Sequence, residues 1–335
     1  MVSRREMARD DAVPMATRPP PLPASKLPAP LRFPLLVILS LSSSFFLYTF
    51  FSGFMGNELA GVSRTVNENW QVASLLGWKI LELGIGWYGN FDDLDVVALT
   101  ILSHAPYVYL LSTFYEISPL TTLLTLGIDT AAIALPIRLL RPRSPPHNPA
   151  APRAAVPNRF IIHDFSVRLL LMMLGTAVYA SIMYAALCTN LTVWLATHFD
   201  GVRTFERAHA ASLQALCVTM WPLGWAAREF LFTPAVGAQS SLKDITHEHF
   251  NPATASLAET LAWNFGFGAH SKHSKRARVL ALRTAVLVGF VGLNTWVQTY
   301  GSLEGADAMG AAGYAALWAM AGLATGGVFG WVGDV

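Results

Sequence analysis

The chain has 335 residues and a formal net charge of +2; 53% of its residues are hydrophobic and 13% are charged. Soluble domains carry about 25% charged residues, so this chain lacks the polar side chains that a water-exposed surface needs. The small net charge argues against a nucleic-acid partner, which favours strongly basic domains. The composition therefore predicts an all-α, polytopic transmembrane helical bundle, in contact with membrane lipids.

Residues 1–32 are polar and then rich in proline, which predicts an extended, disordered N-terminal tail. Apolar segments with the length of a spanning helix, about 18 residues or more, follow it. They are residues 34–55, 94–115, 119–140, 166–188, 211–232, 279–299 and 309–331. Membrane helices 1–4 are thus predicted within 33–140, helices 5 and 6 within 166–232, and helices 7 and 8 within 279–335.

The stretch GWKILELGIGWYGNFDDLDVV, residues 77–97, belongs to a segment that periodicity leaves undecided. In the helix predicted over 70–89, Lys79 and Glu82 lie on a polar side and apolar residues cover the other side. Such a helix either lies flat on the membrane surface or crosses the membrane with its polar side against other helices. The first alternative gives seven spans and the second gives eight.

The distribution of lysine and arginine favours eight spans, because short cytoplasmic loops retain these residues. With eight spans and both termini cytoplasmic, nineteen basic residues lie inside, Lys79 lies in the membrane, and only Arg64, Arg203 and Arg207 lie outside. With seven spans, the best division is fifteen against eight. We therefore predict a multi-pass integral protein of the endomembrane system or the plasma membrane.

The eight-span topology places four ionisable residues at mid-depth: Lys79, Glu82, His104 and Asp129. A charge at the bilayer centre costs roughly 2.5–3.5 kcal/mol, so these residues should face inward and pair, Lys79 with Glu82 and His104 with Asp129. One interpretation is a site for proton-coupled or ion-coupled transport, since imidazole titrates near neutral pH. The other is a structural polar contact that holds three helices in register.

An acidic turn, NFDDLD, offers a second candidate site at Asp92, Asp93 and Asp95. Clustered carboxylates can hold Mg²⁺ for a diphosphate substrate, as Asp-rich loops do in membrane prenyltransferases. The spacing here differs from theirs, however, and no second Asp-rich loop is present. The alternative is that these residues cap the following helix and favour the positive end of its dipole.

The polar segments between the helices contain no recognisable catalytic motif, so we predict no catalytic residues, no bound metal and no cofactor. The Pro/Arg-rich linker 141–165 should be non-helical where prolines crowd it, at 141–158. The loop 233–278 contains an amphipathic stretch followed by lysine and arginine, which predicts a surface helix on anionic lipid at 256–278. Its histidines, His247, His249, His270 and His273, lack the accompanying ligands of a zinc site.

The last apolar segment carries Gly322, Gly326 and Gly330 at every fourth position, a spacing that lets helices approach closely. This face predicts packing within the bundle or against another membrane protein. Three functions follow from the sequence: a non-catalytic scaffold that binds lipids or partners, a proton-coupled or ion-coupled carrier or channel, and a Mg²⁺-dependent lipid or isoprenoid enzyme. The absence of a recognisable catalytic motif places the scaffold first.

Overall fold

The computed structural model describes residues 28–65, 68–151, 155–156, 158–238, 256–257 and 275–333. In these ranges the regular structure is helical, and β-pairing is limited to two isolated bridges, Ser63 with Leu303 and Phe199 with Ala306. The all-α prediction is therefore confirmed. The N-terminal tail, the loop histidines and most of the predicted surface helix at 256–278 lie outside the described residues.

Thirteen α-helices are described in these ranges, and they follow the order of the predicted segments. They are α1 (Ala29–Ala60), α2 (Asn69–Tyr88), α3 (Asp93–Phe114), α4 (Pro119–Leu140), α5 (Arg159–His163), α6 (Phe165–Cys188), α7 (Leu191–His198), α8 (Glu206–His209), α9 (Leu213–Thr219), α10 (Trp221–Ala227), α11 (Thr233–Gly237), α12 (Lys275–Ser302) and α13 (Ala308–Gly333).

Six of these helices, α1, α3, α4, α6, α12 and α13, are long and apolar enough to cross a membrane. The two remaining predicted spans differ from them for separate reasons. Helix α2 has the necessary length but mixes Lys79 and Glu82 with glycine and tryptophan, so it is less apolar. The segment 213–237 is broken into α9, α10, a π-helical turn at Arg228–Phe232, and α11. Pro222 and Pro234 lack the N–H that a continuous helix needs.

The linker departs from its prediction within 141–158, because it contains a short helical turn there. Pro145–His147 forms a 3₁₀ turn, and α5 follows at Arg159–His163. Proline is compatible with the first position of a helical turn, where the backbone N–H has no partner in any case. The turn packs closely on the end of α11, where a side chain at Gly237 would meet Pro146.

One end of the bundle, which we call the basic end, joins the end of α2 to the start of α3 and the end of α4. Arg141, just after α4, donates hydrogen bonds to the carbonyl oxygens of Trp87 (2.8 Å) and Phe91 (3.0 Å). The start of α12 reaches the same end, since Arg283 donates to the Asp95 carboxylate near the start of α3.

The opposite end joins the other termini of the same helices. The backbone N–H of Ser118, before α4, donates to Glu58 near the end of α1 at 3.0 Å. Arg64, which precedes α2, donates to the carbonyl oxygen of Ala306 between α12 and α13 at 2.9 Å. The N–H of Arg203 donates to the carbonyl oxygen of Phe114 at the end of α3. The ends of α1 to α4 therefore alternate between the two ends of the bundle.

The glycine face of α13 packs on α12 within the chain. Side chains at Gly322, Gly326 and Gly330 would meet Leu287, Thr284 and Leu280, respectively. The alternative in which this face binds another membrane protein is therefore not supported, because α12 already covers it. The close approach places the two longest C-terminal helices against each other over most of their length.

Two adjacent glycines of α13 allow a test of this packing. Gly326→Ala should destabilise the protein by about 1–3 kcal/mol, because the added methyl group would overlap the branched, rigid side chain of Thr284. Gly327→Ala is the control, since no atom lies within 4 Å of the position its methyl group would take. Thermal unfolding of both variants in detergent would measure the difference; equal melting temperatures would contradict the described packing.

Candidate functional site

A cluster of four ionisable side chains, the mid-bundle cluster, lies between α2, α3 and α4. Lys79 and Glu82 are three residues apart and therefore share one face of α2. His104 and Asp129 come from near the middle of α3 and α4. The four side chains lie together as one group and not as two separate pairs.

The mid-bundle cluster is one network, because each cationic or imidazole group faces both carboxylates. Lys79 Nζ lies 3.0 Å from Glu82 Oε2 and 3.5 Å from Asp129 Oδ1. His104 Nε2 lies 3.8 Å from Glu82 Oε1 and 3.8 Å from Asp129 Oδ2. The sequence predicted the pairs Lys79–Glu82 and His104–Asp129; the geometry adds the two crossed contacts.

The second ring nitrogen of His104 connects the cluster to its surroundings. Nδ1 lies 3.1 Å from the carbonyl oxygen of Thr100 and 3.1 Å from the hydroxyl oxygen of Ser103. Asn294 of α12 approaches the same nitrogen at 3.4 Å and accepts a hydrogen bond from Trp78 Nε1 at 2.8 Å. A fourth helix is thus joined to the cluster through Asn294.

Sequence analysis did not identify Asn294 as part of this site. It is a single amide in an apolar helix, fully buried, and it lies 190 positions from His104 along the chain. No local pattern indicates which helix it faces. The only signal available in the sequence was a polar amide side chain within the apolar run of the seventh predicted span.

The acidic turn forms a second polar cluster, the basic-end cluster, in which Asp92 caps α3 as the alternative interpretation predicted. Asp92 Oδ1 accepts from the N–H of Asp95 at 2.9 Å. Its Oδ2 accepts from the N–H of Ser144 at 2.9 Å, the hydroxyl of Ser144 at 2.5 Å and Nδ1 of His147 at 2.8 Å. These contacts fasten the Pro/Arg linker to the start of α3.

The other two aspartates of this turn pair with arginines. Asp93 Oδ2 accepts from Arg143 Nη2 at 2.8 Å, and Asp95 accepts from both terminal nitrogens of Arg283 at 2.5 and 3.1 Å. His147 is almost fully buried, and its Nε2 lies 3.7 Å from Glu229 Oε2 in the π-helical turn. Sequence analysis did not identify His147 or Glu229, because their contacts cross the linker and depend on its path.

In the described part of the chain, Asp92, Asp95 and His147 approach a metal-binding geometry, since their ligand atoms lie within 4.8 Å of one another. Their hydrogen bonds do not fit Mg²⁺ or a diphosphate, because the Asp92 oxygens already accept from Ser144 and His147. Asp95 is neutralised by Arg283. Mg²⁺ retains several waters, and each oxygen here would first have to lose a protein donor. The arrangement therefore fits a structural connection.

Burial alone would raise the pKa of Asp92, but the hydrogen bonds and charge of His147, with the donors of Ser144 and Asp95, outweigh it. The pKa of Asp92 consequently lies well below its usual range. A carboxyl whose pKa is depressed on folding adds stability above its unfolded pKa, about 4, and this stability is lost as pH falls toward the folded value. The ionised carboxylate therefore stabilises the folded linker at neutral pH.

Asp92→Asn should lower the stability of the protein by about 1–3 kcal/mol at neutral pH, because the amide keeps the helix cap but loses the charge facing His147. Asp164→Asn is the matched control, since Asp164 caps α6 with a single exposed hydrogen bond. Thermal unfolding as a function of pH should show the Asp92→Asn deficit shrinking below about pH 4. The interpretation fails if both substitutions have the same effect.

Comparison with family models finds a match over the second half of the chain. Residues 164–325 match the family model of the Bouquet formation protein 3 C-terminal domain. This region runs from the cap of α6 into α13, so it includes Asn294 and excludes the other four residues of the polar network at mid-bundle. No curated protein and no solved structure matches the chain.

Proposed function

We propose that this chain is a non-catalytic, multi-pass membrane protein that holds partner proteins or lipids in an endomembrane and contributes to bouquet formation. The observation that supports this most directly is the match of α6 to α13 with a domain of a bouquet formation protein. For location we propose the nuclear envelope or another endomembrane; the plasma membrane has no support from the match.

We propose eight crossings, with both termini cytoplasmic, on the basis of contacts along α2. Near its start, Leu75 lies beside Gly301 at the end of α12. Near its end, Gly86 lies beside Val96 at the start of α3, and Tyr88 packs on Phe33 at the start of α1. A helix in contact with both ends of its neighbours runs along the bundle, as a crossing helix must.

Cysteine labelling tests this topology directly. With Cys188 and Cys217 replaced by serine, single cysteines would be introduced at the exposed positions Ser63 and Ala150. If α2 crosses the membrane, an impermeant maleimide should label these positions from opposite sides. Labelling of both from the same side would show that α2 does not cross, because residues 63 and 150 share a side only in the seven-span topology.

The scaffold function is supported by how the ionisable groups are used. In both clusters the carboxylates are directed toward cations, helix caps or imidazoles inside the protein, which stabilises the bundle. Such a protein acts through its surface and its partners.

Purification of the tagged full-length chain in mild detergent should retain a stoichiometric membrane-protein partner through size-exclusion chromatography. Chemical crosslinking in intact membranes, before solubilisation, would show that the complex forms in the bilayer. Asp164→Asn should retain the partner as a surface control. Recovery of the chain alone from crosslinked membranes would contradict the scaffold function.

A second candidate function is proton-coupled or ion-coupled transport, supported by the four ionisable groups that meet at mid-bundle. Buried ionisable residues at membrane depth commonly mark ion pathways. Proteoliposomes containing the wild type would be compared with His104→Gln and Asp129→Asn under a pH gradient. Transport requires a flux in the wild type that both variants reduce; equal fluxes would exclude this candidate.

A further inference from the structure

The mid-bundle cluster carries one more negative than positive charge when His104 is neutral. Lys79 supplies one positive charge, whereas Glu82 and Asp129 supply two negative charges. Among the described residues, the other groups that face the cluster are uncharged: Tyr48 of α1 and Tyr107 of α3 lie near Asp129, and Asn294 of α12 lies beside His104. A buried charge without a partner is strongly destabilising, so the folded state favours a compensating cation.

The geometry locates the position where the missing charge would lie. Glu82 is almost fully buried, and its Oε1 has no hydrogen-bond partner. This oxygen and Asp129 Oδ2 each face His104 Nε2 at 3.8 Å. A neutral His104 has only one N–H, so its Nε2 can donate to at most one of these two carboxylates. The two carboxylates therefore keep an excess of negative charge here unless a positive charge lies between the three atoms.

We infer that the pocket between Glu82 Oε1, Asp129 Oδ2 and His104 Nε2 binds one monovalent cation. The charge arrives either as a proton on Nε2 or as a small metal ion such as Na⁺ held by the three atoms. The separations of 3.8 Å exceed the length of a direct hydrogen bond. The three atoms therefore move closer together if a proton binds, whereas a metal ion fits between them without this movement. This inference rests on the second candidate function only for the location of the site. Binding of a cation there does not require transport.

Binding of a cation to the folded state alone links stability to pH or to salt. If the cation is a proton, the stability that its binding adds is lost as the pH rises. If the cation is Na⁺, it competes with the proton, so added Na⁺ restores stability at high pH. Choline, a bulky quaternary ammonium ion, controls for ionic strength.

The test uses the full-length protein in nanodiscs of neutral lipid, with thermal unfolding followed between about pH 6 and about pH 8.5. The key variant is Glu82→Gln, which keeps the shape of the side chain and balances Lys79 against Asp129. His209→Gln, at an exposed position, is the control for histidine titration elsewhere. Asp129→Asn removes the same charge and replaces Glu82→Gln if that variant fails to fold.

Raising the pH in choline chloride should lower the melting temperature of the wild type by about 2–4 °C more than that of Glu82→Gln. His209→Gln should follow the wild type. Recovery of the wild type in NaCl would identify a metal ion, and no recovery would identify a proton, which ¹⁵N NMR of His104 Nε2 would show as an imidazolium. The inference is overturned if the wild type and Glu82→Gln respond identically to pH and to Na⁺. Partner retention is measured in a separate experiment, so a failure of the cation-binding test can be distinguished from a failure of the scaffold function.

Discussion

The attachment of α2 to the rest of the bundle depends on polar contacts at mid-depth. Only Glu82, Leu83 and Gly86 of this helix are buried, and most of its length faces outward. Lys79 and Glu82 contact groups from α3 and α4. Because lipid is as apolar as leucine, apolar contact alone gives a membrane helix little preference for its neighbours. In the proposed crossing, the ion pairs and hydrogen bonds of α2 therefore add the specificity that its apolar contacts lack.

In the basic-end cluster, ion pairs and hydrogen bonds also connect separate segments of the chain, here at one end of the bundle. His147 and Ser144 bring the linker to Asp92, while Arg283 of α12 reaches Asp95. These contacts join the first half of the chain to the second half, which matches the family model of a bouquet formation protein domain. Polar contacts thus connect the two halves of the chain into one bundle, as we expect of a protein proposed to act by holding partners.

Much of the helical architecture was predictable because long apolar runs are a local property of the sequence. Six predicted spans are confirmed as long and apolar enough to cross a membrane. The proximity of His104 and Asp129 followed from folding α3 and α4 about a short turn. Asn294 and His147 were not predictable, since their partners lie 190 and 55 positions away and their contacts depend on helix packing and the path of the linker. The span predicted over 211–232 is broken near Pro222, and neither this break nor the π-helical turn at Arg228–Phe232 was predicted.

The central claim is that α2 crosses the membrane with its ionisable residues at the depth of those on α4. Gly77 and Gly127 precede Lys79 and Asp129 by two residues each, and both positions are open to added side chains. Spin labels at Gly77→Cys and Gly127→Cys, measured by oxygen and nickel-complex accessibility in lipid bilayers, report the depth of each position. The account predicts equal depths near the bilayer centre; a label at position 77 in the headgroup region would contradict it.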